Sequence, residues 1–229
     1  MGKIFVTSDT HFGHDREFVW GPRGFTNYVD HDTAVIENWN SVVGPDDIVY
    51  HLGDVMLGDN NYGIGCLAML NGHIKIIPGN HDTATRLELY KKVPNVEVLG
   101  LAEMIKYKKY NFYLSHHPTI TSNLEKAPYL RMHLINLFGH THQQNKFFMS
   151  MPFMFHVGMD SNNCTPVLLD DAIEAMKKET QICIEMLDIQ KQKEEAEDGC
   201  GDCAHQNQCS ASADGKRCKD YLADPLLGG

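Results

Sequence analysis

Five short apolar runs in this chain each end abruptly in a side chain that can bind a metal ion. Ile, Val, Phe and Tyr dominate the runs, which is typical of buried strands. The polar residues that follow them are Asp9 and His11, then Asp54, then Asn80 and His81, then His116, then His140 and His142. This pattern allows few folds, because one edge of the structure must collect the polar ends of several strands.

Amphipathic stretches separate several of these runs and predict helices at about residues 32–41, 62–70 and 83–92. Asp30 and Asp32 are both suitable N-caps for the first helix. Strands that alternate with helices predict an α/β fold. In such folds ligands bind outside the carboxyl ends of the strands, which is where the five runs place their polar residues.

Composition disfavours two classes of protein. No apolar run reaches the roughly 18–20 residues of a membrane span, so we expect no integral membrane protein. The chain has 20 Lys and Arg against 30 Asp and Glu, a net charge of −10, which disfavours a nucleic-acid surface. We interpret MIKYKKY (residues 104–110) as a hairpin face rather than a nucleic-acid patch.

Because the first residues, MGKIFVTSD, lack a signal-peptide layout, a cytoplasmic location is predicted.

The metal-capable residues form a distinctive donor set of two carboxylates, one amide and four imidazoles, without a thiolate. This set suits Mn, Fe, Zn or Ni better than Mg or Ca. Seven ligands exceed one tetrahedral site and match two cations that share a carboxylate. Asp9 with His11, and His140 with His142, are two residues apart, so in an extended chain both members of each pair project the same way.

Five motifs carry a resemblance to a known family. SDTHFGH (8–14), GD (53–54), GNHD (79–82), SHHP (115–118) and GHTH (139–142) resemble the calcineurin-like metallophosphoesterases, in the family's order and over about residues 1–170. The resemblance implies a four-layered α/β/β/α sandwich with a dinuclear site at the strand ends. Asp9, His11, His142 and a shared Asp54 would hold the first metal. Asp54, Asn80, His116 and His140 would hold the second.

The resemblance also implies a chemistry, in which a metal-bridging hydroxide attacks a phosphate ester. His81 would contact the phosphate and assist the leaving group, and Asp82 would orient the His81 imidazole. We expect two divalent cations, with manganese favoured, and a phosphorylated small molecule or nucleotide as substrate. By analogy with compact family members we favour phosphodiesters. The alternatives are a phosphomonoesterase, acting on proteins or nucleotides, and a non-catalytic metal-binding scaffold.

The remaining histidines and Arg16 carry weaker indications of a function. His14 and Arg16 follow the first motif and are expected either to touch substrate or to belong to a loop. His117 follows a predicted ligand and is interpreted as a neighbour of the metal site or a surface residue. His51 and His73 lie in strand-like runs and are predicted to be core or edge residues. No functional role is assigned to His31, His133 and His156, and His205 has none unless it replaces a cysteine ligand in the C-terminal tail.

The sequence predicts three regions: a catalytic domain at 1–169, a long helix at 170–198 and a Cys-rich tail at 199–229. Four of the seven cysteines crowd into the tail, namely Cys200, Cys203, Cys209 and Cys218. In a reducing compartment this spacing favours a structural zinc site over disulfides, with His205 as a substitute ligand. An iron–sulfur cluster and unstructured thiols are the alternatives. The tail is also a candidate surface for a protein partner.

Overall fold

The computed structural model describes residues 2–121 and 129–201, without the side chains of 195–201. The strands are β1 (Ile4–Thr7), β2 (Ile48–His51), β3 (His73–Ile76), β4 (Val96–Val98), β5 (Ala102–Tyr107), β6 (Tyr110–Ser115), β7 (Leu134–Phe138), β8 (Met154–His156) and β9 (Val167–Leu168). The helices are α1 (Glu17–Trp20), α2 (Tyr28–Val42), α3 (Asn60–Ala68), α4 (Ala84–Tyr90) and α5 (Leu169–Gly201). All five apolar runs are strands, as predicted.

The strands form two sheets. The first has the order β4-β3-β2-β1-β9, in which β1 to β4 are parallel and β9 is antiparallel to β1. The second has the order β5-β6-β7-β8, with an antiparallel β5–β6 hairpin followed by parallel neighbours. Because parallel strands end at the same edge, the loops after β1, β2 and β3 and those after β6 and β7 can meet.

Two apolar cores hold these layers. One core joins the sheets, and its buried members include Val6 of β1, Leu52 directly after β2, and Phe112 and Leu137 in the second sheet. The first turns of α5 add Ile173 to this core. The other core lies between the first sheet and helices α2 to α4; its members include Val35, Trp39, Val49, Ile74 and Tyr90. The mixed α/β architecture with two sheets and a C-terminal helix is therefore confirmed.

The first long helix begins earlier than predicted. The Asn27 side chain accepts a hydrogen bond from the Asp30 N–H at 2.9 Å and caps α2, so neither Asp30 nor Asp32 is the cap. Asp32 is buried inside the helix, where its carboxylate contacts the His31 ring at 2.8 Å and accepts from the Gly13 N–H at 2.7 Å. These two partners, one adjacent in the chain and one in the loop after β1, let an acidic residue stay buried in a helix.

The hairpin interpretation of residues 104–110 is confirmed by β5 and β6, which turn at Lys108 with a φ of 53°. Among the helices of the described residues, none is both long and apolar enough to cross a membrane. One compact unit covers Met1–Thr180, and a second begins at Gln181. The predicted tail site, including the Cys200 side chain, lies outside the described residues.

His51, at the end of β2, is fully buried, as the sequence predicted. Its Nδ1 accepts from the Gly53 N–H at 3.2 Å, so its Nε2 donates to the Thr10 hydroxyl at 3.0 Å. Burial lowers the pKa of His51 from about 6.5 to about 3. The ring is therefore neutral in the folded protein at neutral pH.

This buried histidine predicts an acid-sensitive stability. Between about pH 6.5 and pH 3, the His51 ring is protonated in the unfolded chain but stays neutral in the folded chain. The free energy of unfolding therefore falls as pH falls. In the presence of a chelator, the free energy of unfolding between pH 6 and pH 5 is expected to fall more steeply for the wild type than for His51→Gln. The difference in slope is expected to be up to ~1.4 kcal/mol per pH unit. Denaturant unfolding at each pH measures the two slopes, and equal slopes would contradict the prediction.

Candidate metal centre

Four donor atoms converge between the loops after β1, β2 and β7. The Nε2 atoms of His11 and His142 lie 3.1 Å apart. His11 Nε2 lies 3.9 Å from Asp9 Oδ1 and 3.8 Å from Asp54 Oδ2, and His142 Nε2 lies 3.9 Å from the same Asp9 oxygen. These four residues are the ones that the family resemblance implied for the first metal.

A second group of donors lies on the other side of Asp54. Asp54 Oδ2 is 3.3 Å from His116 Nε2. Asn80 Oδ1 is 2.9 Å from the same nitrogen and 2.8 Å from His140 Nδ1. The Asp54 carboxylate oxygen that faces His11 in the first group also faces His116 in the second. The structure therefore brings all seven predicted ligands into two groups that share Asp54 Oδ2.

The backbone at this site is strained. Five of the seven residues have positive φ angles in the left-handed region, namely Asp9, His11, Asp54, His140 and His142. Each such non-glycine residue costs about 1–3 kcal/mol and persists only where the surroundings hold it, often at a functional site. The expectation that the paired ligands project from an extended chain is wrong. Sharp turns just after the strands direct Asp9 and His11 into the first group of donors, and they direct His142 into the first group and His140 into the second.

Two glycines allow the carboxylates to be packed so closely. A Cβ at Gly79 would overlap the carboxylate and backbone nitrogen of Asp54. A Cβ at Gly139 would overlap the Ser8 hydroxyl and the Asp9 carboxylate. Glycine alone permits such close approach of the backbone, which explains why glycines precede Asn80 and His140.

Hydrogen bonds outside the site fix the direction of two rings. His116 Nδ1 donates to the Leu52 carbonyl at 2.7 Å, which leaves the Nε2 lone pair facing Asp54 and Asn80. His142 Nδ1 faces the Asp160 carboxylate at 3.1 Å, which directs its Nε2 towards Asp9 and His11. Metal-binding histidines in proteins are oriented by partners of this kind.

The charges of the site call for a cation. The Asp9 and Asp54 carboxylates are almost completely buried. Burial raises the pKa of Asp9, against the opposing attraction of His142 and His116. Burial also acts on Asp54, but the hydrogen bond and charge of His116 and the His81 N–H hold its pKa below the usual range. Two ring nitrogens at 3.1 Å repel unless a proton or cation lies between them, so the residues present fit divalent cations.

His81 stands beside the two groups. Its backbone N–H donates to Asp54 Oδ1 at 2.8 Å, and its carbonyl accepts from Arg86 Nη1 at 2.7 Å. Its Nε2 lies 4.0 Å from Asp54 Oδ2, and 42% of its side chain is exposed. The backbone is thus held from both sides, while the imidazole stays accessible to a ligand.

Asp82 does not orient the His81 imidazole as the resemblance implied. Its carboxylate accepts hydrogen bonds from the N–H groups of Asp54 at 2.7 Å, Val55 at 3.2 Å and Gly79 at 2.9 Å. The buried Tyr90 hydroxyl adds a fourth at 2.7 Å. Because these donors occupy both oxygens, Asp82 ties the loop after β2 to the loop after β3 and so positions Asp54.

Two of the three further predicted residues, His14 and His117, lie beside predicted ligands. His14 is buried, its ring is 5.5 Å from that of His11, and its Nδ1 accepts the Arg16 N–H at 3.1 Å. The Arg16 side chain is 73% exposed and is paired with Asp15. The His117 ring lies 4.3 Å from that of His140, and donor atoms of His116, His117 and His140 lie within 4.8 Å of one another.

Sequence reasoning missed Arg23 and Asp160. Both side chains are buried and form an ion pair with an N–O distance of 2.8 Å. A signal was present, because Asp160 follows the apolar run FMFHVGM as a sixth example of the pattern at the other strand ends. Arg23 lies in a loop without any such pattern.

A calcineurin-like phosphoesterase superfamily domain matches residues 3–153, about two thirds of the chain. The protein therefore belongs to the calcineurin-like phosphoesterase superfamily. Membership supports a hydrolase that acts on phosphate esters. The candidate His and Asp groups agree with the divalent metals that the family typically binds.

Individual relatives give no further assignment. The chain is 31% identical over 186 residues to the uncharacterized protein MJ1445 of Methanocaldococcus jannaschii, which covers 78% of this chain and 93% of that protein. It is 29% identical over 188 residues to the Gene 66 protein of Mycobacterium phage D29, and this match covers 70% of this chain and 89% of the phage protein. The solved structure of AQ665, a protein of unknown function from Aquifex aeolicus, matches this chain with a TM-score of 0.57 at 21% identity. The match covers 76% of this chain and 99% of AQ665, and it supports the fold alone.

Proposed function

We propose that this protein is a dinuclear-metal phosphoesterase that hydrolyses phosphodiesters. The observation that carries the proposal is the arrangement of seven donors in two groups that share one Asp54 oxygen, with an accessible His81 beside them. A single-metal protein has no need of a second group of donors that shares a carboxylate with the first.

Asp9, His11, His142 and Asp54 would hold one cation, and Asp54, Asn80, His116 and His140 the other. When bound, two divalent cations supply an activated water molecule and electrostatic stabilisation of the phosphoryl oxygens. Two dications carry +4 against −2 from Asp9 and Asp54, so the site attracts phosphate although the chain has a net charge of −10. The imidazole and amide donors favour manganese, iron, zinc or nickel, of which we prefer manganese.

The His81 imidazole is the chain's candidate for proton transfer to the leaving oxygen. A general acid must reach the leaving group while its own position is fixed. Arg86 and Asp54 hold the His81 backbone, and the ring stays 42% exposed at the mouth of the site. Asn80 lies next to it and faces His116 and His140, so the loop after β3 supplies both a metal donor and the proposed acid.

The substrate class is tested by assaying the manganese-loaded protein on an aryl phosphodiester and an aryl phosphomonoester side by side, with chelator-treated protein as control. Diester turnover that chelator abolishes supports the proposal. Turnover of the monoester alone keeps the reaction class and overturns the diester preference. Two bound metals with no turnover of either substrate would favour the scaffold.

A further inference from the structure

Arg23 is the centre of a buried hydrogen-bond network that the family motifs do not include. Only 1% of its side chain is exposed. Its Nη2 donates to the Asp9 carbonyl at 2.9 Å, and its Nη1 donates to His31 Nε2 at 2.9 Å. Its Nε and Nη2 donate to the two carboxylate oxygens of Asp160 at 3.0 and 2.8 Å.

Asp160 connects this network to the predicted metal ligand His142. Its Oδ2 accepts from Arg23 Nη2 and also faces His142 Nδ1 at 3.1 Å. A carboxylate can only accept while it is ionised, so it selects the His142 form with the proton on Nδ1. The Nε2 lone pair then faces Asp9 and His11. The two charges balance each other, which allows both to be buried.

His31 anchors the opposite side of Arg23. Because a guanidinium only donates, His31 Nε2 accepts, and its Nδ1 donates to Asp32 Oδ1 at 2.8 Å. The other Asp32 oxygen accepts the Gly13 N–H at 2.7 Å. The network therefore joins helix α2 to the loop that carries Asp9 and His11.

We infer that Arg23 and Asp160 are positioning residues for the first metal pocket. Arg23 holds the Asp9 backbone in its left-handed turn, and Asp160 holds His142 in the form that can bind a cation. Asp9 and His142 come from distant parts of the chain, after β1 and after β7. The Arg23 guanidinium connects them, because it contacts the Asp9 carbonyl directly and His142 through Asp160. The inference rests on the proposed function, since it assigns a cation to this pocket.

The test is equilibrium dialysis of manganese alone with wild-type protein, Asp160→Asn and Arg23→Lys. An asparagine must turn an N–H donor towards either Arg23 or His142, and a lysine cannot reach all of the Arg23 acceptors. Each variant is expected to bind one of the two manganese ions 10–100-fold more weakly and the other as wild type. Wild-type affinity at both pockets, in either variant, would overturn the inference.

Two controls separate positioning from loss of stability. Asp170→Asn makes the same chemical change in an exposed ion pair with Lys108. Val35→Ala loosens the buried face of α2, which carries His31, and removes none of the hydrogen-bonding groups of the network. Both controls are expected to bind two manganese ions as tightly as the wild type. Weakened binding in Val35→Ala to the level of Asp160→Asn would overturn the inference in favour of general destabilisation.

A measurement on the unaltered protein covers the case in which a variant does not fold. Nitrogen-15 NMR of the zinc-loaded wild type is expected to show His142 bound through Nε2 with a proton on Nδ1; binding through Nδ1 would overturn the inference. Wild-type protein that binds neither manganese nor zinc would instead overturn the proposed function, so the two failures are distinguishable.

Discussion

Asp54→Asn is expected to lower kcat/KM for the phosphodiester at least about 1,000-fold. Removal of one preorganised electrostatic group from a reaction centre costs about 10²–10³-fold, and Asp54 Oδ2 faces donors of both pockets. The measurement is steady-state kinetics together with metal content. The variant is expected to bind fewer than two manganese ions at concentrations that saturate the wild type.

The Asp54 effect is expected without loss of the fold. Asparagine keeps the oxygen that accepts the His81 N–H, and the Asp54 N–H still reaches Asp82. Metal-free Asp54→Asn is therefore expected to fold, but to unfold at a lower temperature than metal-free wild type, because the folded state favours the ionised Asp54 carboxylate beside His116. Asp46→Asn, an exposed change of the same kind, serves as the matched control. Full metal loading and full turnover in Asp54→Asn would contradict the shared-ligand assignment.

His81→Ala is expected to produce a loss that depends on the leaving group. A general acid contributes about 10²–10⁴-fold when the departing oxygen needs a proton, and little when it leaves readily as an anion. We therefore expect a loss in that range for an alkyl diester and less than about tenfold for a nitrophenyl diester. The measurement is kcat/KM over a series of diesters that differ in leaving-group pKa.

The expected metal content sharpens the His81 test. His81 contacts Asp54 through its backbone N–H, which alanine retains, so His81→Ala should still bind two manganese ions. The exposed His73, at the start of β3, provides a His→Ala control outside the site. A uniform loss across all leaving groups would indicate that His81 acts as an electrostatic contact to the phosphate rather than as the acid.

The sequence determined the chemistry of this protein's site. Buried strands need continuous apolar runs, and a polar residue directly after such a run has to lie at the sheet edge. That reasoning identified the strands before each donor loop and the seven donors, all of which the structure brings together. The glycines before Asp54, Asn80 and His140 stand in the sequence, and the structure shows their reason, because a Cβ at each would overlap neighbouring atoms.

Only the tertiary structure decided how the donors are held. Local alternation suggested extended pairs, but left-handed turns aim Asp9, His11 and His142 inwards, and such strained turns persist only because distant groups support them. Asp82 supports two loops through backbone N–H groups, and Arg23 binds a carbonyl of the loop after β1 together with a carboxylate 137 residues away. Contacts of this kind leave no periodic pattern in a sequence, because they depend on how separate loops meet after the sheets have packed.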